Sequence, residues 1–187
     1  MGSIRAPLPV KLIVGMLAGS PQALDLGMVA LAQTLGPVDY ASDDLPFDYT
    51  DYYCAELGPH ILRRFVAISD LVDPGRLADI KVQTNGLEDS LRQGGRRTVN
   101  LDPGYICGGK LVLATTKDNA HRIYLGQGIY AEVTLIYRGR RFCPLPWTYP
   151  DYASGDYDPI LRVIRERYMD QLRASRAAGL LDDQAHV

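Results

Sequence analysis

A chain of 187 residues with 47% hydrophobic residues, 22% charged residues and a net charge of −2 is sized and balanced for one globular domain over 1–187, which excludes a disordered or collagen-like chain. No apolar run approaches a membrane span, and the short stretch Leu12–Leu17 behind Arg5 lacks the long apolar region of a secretory signal, so a cytosolic protein with no membrane partner is expected. The charge gives no global pull toward nucleic acid, and Cys54, Cys107 and Cys143, odd in number and without a CxxC, read as free thiols.

Lys11–Leu17 is a continuous apolar run closed by Gly19, the pattern of a strand buried on both faces. Ser20 then caps and Pro21 opens a helix whose Leu24, Met28, Leu31 and Leu35 share one face up to Gly36. Asp39–Asp51, with five aspartates and no cation, reads as an exposed loop. Tyr52–Leu57 and Ile61–Ile68, parted by Gly58-Pro59-His60, read as a hairpin, with a helix as the rival because Ile61, Phe65 and Ile68 also fit its period. Asp73-Pro74 starts a second helix carrying Leu77, Ile80, Thr84, Leu87 and Leu91, with Gly94-Gly95 as its stop. Thr98–Trp147 alternates like an antiparallel meander, and Asp158-Pro159 starts a last helix with Leu161, Ile164, Tyr168 and Leu172 as its stripe. The fold class is therefore α+β, a mostly antiparallel sheet with a ferredoxin-like βαββαβ start, a C-terminal strand meander and about three helices. Its core runs over about 10–178, and 180–187 is a loose tail.

If Asp118-Asn119 is a two-residue turn, Thr115 faces Arg122; a three-residue loop ending at Gly128 then sets Ile123 opposite Ala131 and Arg122 opposite Glu132. One face collects Val112, Ala114, Ile123, Leu125, Ile129, Ala131, Val133 and Leu135. The other carries Thr115, Lys117, Arg122, Tyr124, Tyr130, Glu132 and Thr134, two cations, two tyrosines and a carboxylate that could orient an anion. An ordinary solvated surface is the competing reading of that face, and His121 reads as an edge histidine before it reads as a base.

Known motifs are mostly missing. Gly15–Ser20 stands where a phosphate loop would, but only three residues separate its glycines where such a loop needs four, and no Lys follows. No metal-binding spacing of Cys and His occurs, so no zinc site is expected; Asp102, Glu132 and Asp151 are the carboxylates that could hold Mg²⁺, with structural pairing the commoner fate. The loop Trp147–Tyr152 offers three aromatics and Asp151, either to cover a core edge or to stack on a flat ligand.

The phrases NLDPGY, LATTK, HRIYL, GIYAEVTL, WTYPDY and TDYYCAELG strongly resemble the bacterial domain-of-unknown-function family 4416 over about Val10–Tyr152. The resemblance implies places rather than chemistry: Asp102, Lys117, His121, Arg122, Glu132 and Asp151 sit inside the family's phrases. The expected function is binding of a small anionic or phosphorylated ligand on the polar sheet face, with catalysis left open and the cofactor unassigned. Lys117 and Arg122 would hold the anion, Tyr124 and Tyr130 would orient it, Asp102 and Asp151 would add contacts, and Glu132 and His121 are the candidate acid–base groups. The alternative is an interaction module that binds RNA or a protein through the Trp147–Tyr152 loop and Arg138, Arg140 and Arg141.

Overall fold

A computed structural model describes residues 4–181, so residues 182–187 of the expected tail lie outside the described residues. Strand β1 (Val10–Ala18) is buried along its whole length, and helix α1 (Pro21–Leu35) follows with the Ser20 hydroxyl accepting a hydrogen bond from Ala23 N and Gly36 closing it at φ 106°. The acidic segment departs from the expected loop. It forms β2 (Val38–Ala41) and β3 (Leu45–Phe47), both paired to β4 (Ile61–Val72). Its aspartates are what hid the strands: Asp39 pairs with the Nζ of buried Lys11 at 2.6 Å and Asp44 with Arg64 at 2.6 Å, so the acids neutralise cations of β1 and β4.

Of the expected hairpin at 52–68 only the second half is a strand, since Cys54–Leu57 forms the short helix α2. Asp73 caps a 3-10 turn (Pro74–Arg76) that leads into α3 (Leu77–Ser90), which passes Gly86 without a break. Strands β5 (Val99–Cys107), β6 (Lys110–Thr115), β7 (Ile123–Gly126), β8 (Ile129–Arg138) and β9 (Arg141–Pro144) precede the short α4 (Pro150–Ala153) and the long α5 (Asp158–Ala177). Asp158 does not cap α5; Tyr157 holds that position, and the Asp158 carboxylate accepts from Phe142 N at 2.7 Å, tying the helix to β9.

The strands form one antiparallel sheet in the order β2-β4-β1-β5-β6-β8-β7, with β3 also on β4 and β9 also on β8. The order β2-β4-β1-β5 is compatible with the expected βαββαβ start. Alternation along β1 explains the three layers. Val14, Met16 and Ala18 pack with Leu24 and Leu31 of α1, and Leu12 with Ile80 of α3, whereas Ile13 joins Leu161 and Ile164 of α5 on the other face.

One predicted pairing is overturned. Strand β6 pairs with β8, so Thr115 lies opposite Tyr130 and not opposite Arg122, and β7 takes the other edge of β8. The ten-residue β8 offers two edges, and its six-pair ladder with β6 outweighs the short hairpin that Asp118-Asn119 would close. The pairing of Ile123 with Ala131 holds, but β7 is the sheet edge and leaves Ile123 and Leu125 exposed. A bulge at Leu111/Val112 turns Leu135 away from Val112 and into the α5 layer. On β9 it is Phe142 that enters the core, while Cys143 is only half-buried.

Candidate functional site

The β5–β6 ladder runs only from Cys107/Lys110 to Gly104/Leu113 and stops there. Pro103 has no N–H to extend it, and Gly104 marks the last close approach, since a Cβ there would lie 2.3 Å from the Val112 carbonyl oxygen. Beyond this joint β5 stays with β1 as far as Val99, while β6 stays with β8 as far as Thr115. The sheet forks. Helix α3 takes the place of the missing partner: Glu88 Oε1 accepts from Leu101 N at 2.7 Å and Lys81 Nζ donates to Leu101 O at 2.9 Å. Both buried backbone groups are thereby satisfied without a strand.

The fork holds a cleft of about 580 Å³. Its α3/β5 wall is Lys81, Asn85, Glu88, Arg97, Asn100 and Asp102; its β6/β8 wall is Leu113–Lys117, Arg122 and Glu132. Tyr49, Thr50, Tyr52, Tyr53 and the segment Tyr149–Tyr152 enclose it, and Arg63 lies beneath. Each lining carboxylate has a cation of its own. Arg63 Nη2 meets Asp151 at 2.8 Å, Arg122 Nε meets Glu132 at 2.8 Å, Arg97 Nη1 meets Glu88 at 3.0 Å, and Lys81 meets Asp102 at 3.3 Å. Arg97 is also bound by Glu56. Among the described residues that leaves Lys117 as the lining cation without a carboxylate; its ammonium lies 4.6 Å from the centre of the Tyr52 ring.

Arg63 is 3% exposed and lies within 5.7 Å of the rings of Phe47, Phe65, Tyr152 and Tyr157, while its Nε and Nη1 carry no hydrogen bond. Gly15 makes room for it, because a Cβ would stand 2.9 Å from Nη1. Burial pushes the carboxyl of Asp151 up from its ordinary value against the pull of Arg63, and burial likewise raises Glu88 against Lys81. Burial, helped by the charge of Asp102, also raises the Tyr53 phenol.

Of the residues predicted for the site, Lys117, Arg122, Glu132, Asp102 and Asp151 line the cleft together. His121 stands outside the lining, behind Glu132: its Nε2 donates to Glu132 Oε2 at 3.0 Å and its ring stacks on Trp147 at 5.3 Å. Tyr124 and Tyr130 pack on each other at 5.3 Å and are not part of the lining, because β7 pairs on the outer edge of β8. Arg122 is fully engaged, with Nη1 on Lys117 O at 2.9 Å and Nη2 on the Tyr149 hydroxyl at 2.8 Å. Among the described residues no group of three His, Cys, Asp or Glu is placed to hold a metal ion, and the three carboxylates weighed for Mg²⁺ are each paired with a cation.

The sequence reading missed Arg63 and the α3 wall. A signal existed for the wall: Lys81, Asn85 and Glu88 recur at helical spacing beside Leu77, Ile80 and Thr84, which puts three polar side chains at the margin of a core-facing stripe. Tyr52 and Tyr53 stood inside the family phrases without being assigned a place at the site, and Tyr149 was read only as one of the three aromatics of the Trp147–Tyr152 loop.

No curated protein and no solved structure matches this chain. Residues 8–168, which include the whole fork and every residue lining its cleft, match the family described as domain of unknown function 4416, and the chain belongs to that family.

Proposed function

We propose that the cleft binds a small anionic or phosphorylated ligand and that Lys117 is its anchor. The observation that carries this reading is the pairing of charges: four lining cations are each matched to a carboxylate, and the fifth, Lys117, is exposed at the cleft and meets only an aromatic ring. A volume of about 580 Å³, walled by tyrosines and a few polar groups, is in the range of small-molecule sites. Arg122, Glu132 and His121 act through Lys117 as positioning residues, since Arg122 holds the Lys117 carbonyl, Glu132 holds Arg122, and His121 holds Glu132. Three free cysteines support a reducing, cytosolic setting.

An RNA-binding or protein-binding surface draws less support. Trp147 is stacked on His121 and donates from Nε1 to Val133 O, whereas Arg138, Arg140 and Arg141 occupy the β8–β9 turn further along β8. The test is calorimetric titration of wild type and Lys117→Ala with inorganic phosphate and pyrophosphate, alongside a single-stranded RNA at two salt concentrations. Phosphate or pyrophosphate should bind wild type and bind Lys117→Ala at least tenfold more weakly. Equal binding by the two proteins, or RNA binding that is steep in salt and indifferent to Lys117, would overturn the reading.

A further inference from the structure

We infer that the ligand of this cleft is a singly phosphorylated sugar or polyol, an inference that rests on the anion reading above and adds the body of the molecule to it. Two observations carry it, the charge balance and the groups left over for hydroxyls.

The charge balance limits the ligand to one phosphate. Arg63, Lys81, Arg97 and Arg122 are already held by carboxylates, Arg97 by two of them, so a second or third phosphate would meet paired cations and the fields of Asp102, Asp151, Glu88 and Glu132. Lys117 alone matches one anionic group. A triphosphate site would instead show several cations without carboxylates, or a glycine-rich loop of backbone N–H groups at a helix start.

The remaining polar groups suit hydroxyls. Asn85, Tyr53 and Thr116 line the cleft, and their side chains make no hydrogen bond among the described residues. Asp102 is 31% exposed and spends one contact on each oxygen, Oδ1 on Lys81 at 3.3 Å and Oδ2 on Asn100 at 2.7 Å, which leaves each oxygen a lone pair directed elsewhere. A carboxylate, a carboxamide and two hydroxyls offer both donors and acceptors, which a vicinal diol can satisfy and a phosphorylated alkyl chain cannot. A site built in this way discriminates strongly against analogues that lack the hydroxyls, because its own polar groups would then be covered without partners. The rings of Tyr52, Tyr53 and Tyr149 supply flat apolar surface for the C–H face of such a molecule.

The experiment is calorimetric titration of the full chain with inorganic phosphate, glycerol 3-phosphate, ribose 5-phosphate, glucose 6-phosphate, free glucose and ATP. A pentose or hexose monophosphate should bind at least tenfold more tightly than inorganic phosphate, and ATP no more tightly than the sugar monophosphates. In Asn85→Ala and Asp102→Asn the ratio of sugar-phosphate to phosphate affinity should fall below threefold; Asn85, half-buried on α3, keeps the test available if the Asp102 variant does not fold. Lys117-dependent phosphate binding with no gain from the sugar would overturn this inference and leave the anion reading standing. ATP binding more tightly than every sugar monophosphate would overturn the charge argument, and no binding by any of the six probes would sink both.

Discussion

Glu132 is where a surface residue and a buried one would behave most differently. Its side chain is 3% exposed and that of Arg122 2%, so their contact is an interior ion pair with His121 and Thr134 filling the carboxylate's remaining positions. Glu132→Ala strands the guanidinium and should cost roughly 3 to 5 kcal/mol in urea denaturation, whereas an exposed cross-strand pair would cost under about 1 kcal/mol. Glu132→Gln keeps the shape and should cost less than the alanine variant; equal midpoints for wild type and both variants would contradict an interior pair. Alternation along the chain put Arg122 and Glu132 on one face, and that much was legible because period two survives small errors of register. What could not be read was the partner that turns each group inward: Tyr149 for Arg122, and Asp151 for Arg63, are 27 and 88 positions away. Arg63 and Arg64 stand side by side in β4 and look alike in the sequence, yet Arg63 faces four aromatic rings and Arg64 pairs with Asp25 and Asp44.

Elements were legible where the local signal was strong, as for α1 with its Ser20-Pro21 start and for the stripe of α5, all four residues of which are buried. Strands β2 and β3 were not, because they are short and their acids neutralise β1 and β4 at a distance. The fork depends on one element standing in for another, and it makes two predictions. Glu88→Ala removes the acceptor of the Leu101 amide, so that amide should lose hydrogen-exchange protection while amides of the β1–β4 ladder keep theirs. Uniform loss across the sheet would instead mean global destabilisation. Gly104→Ala drives a methyl group into the Val112 carbonyl at the joint, where neither backbone can yield cheaply, and should cost at least about 2 kcal/mol. Gly86→Ala, with nothing within 4 Å, is the control that should match or exceed wild type in stability.

For the whole molecule the tyrosines report the packing. Burial pushes Tyr157 and Tyr168 up to about 12, and raises Tyr53 and Tyr152 as well. A phenol whose folded value exceeds its unfolded value near 10 keeps its proton longer in the native state, so its contribution to stability is complete below pH 10 and is lost as pH rises toward 12. Absorbance titration at 295 nm should show the exposed phenols ionising first and the buried ones only together with loss of tertiary structure. A single smooth titration of all twelve tyrosines near pH 10 with the fold intact would contradict this. The position of β1 at the centre of the sheet also has a kinetic meaning. Its partners are β4 and β5; the β4 ladder needs the chain as far as Val72, whereas the β5 ladder, in which Lys11 lies opposite Ile106, needs more than half of the 187 residues. Each edge of β1 gains its backbone partner only when a long loop closes, the β5 edge after the β4 edge, which places this chain among slow, non-local folders. Until those partners have been made, the apolar run that ends as a strand buried along its whole length has both edges unpaired, and for that time it is the kind of segment through which incomplete chains aggregate.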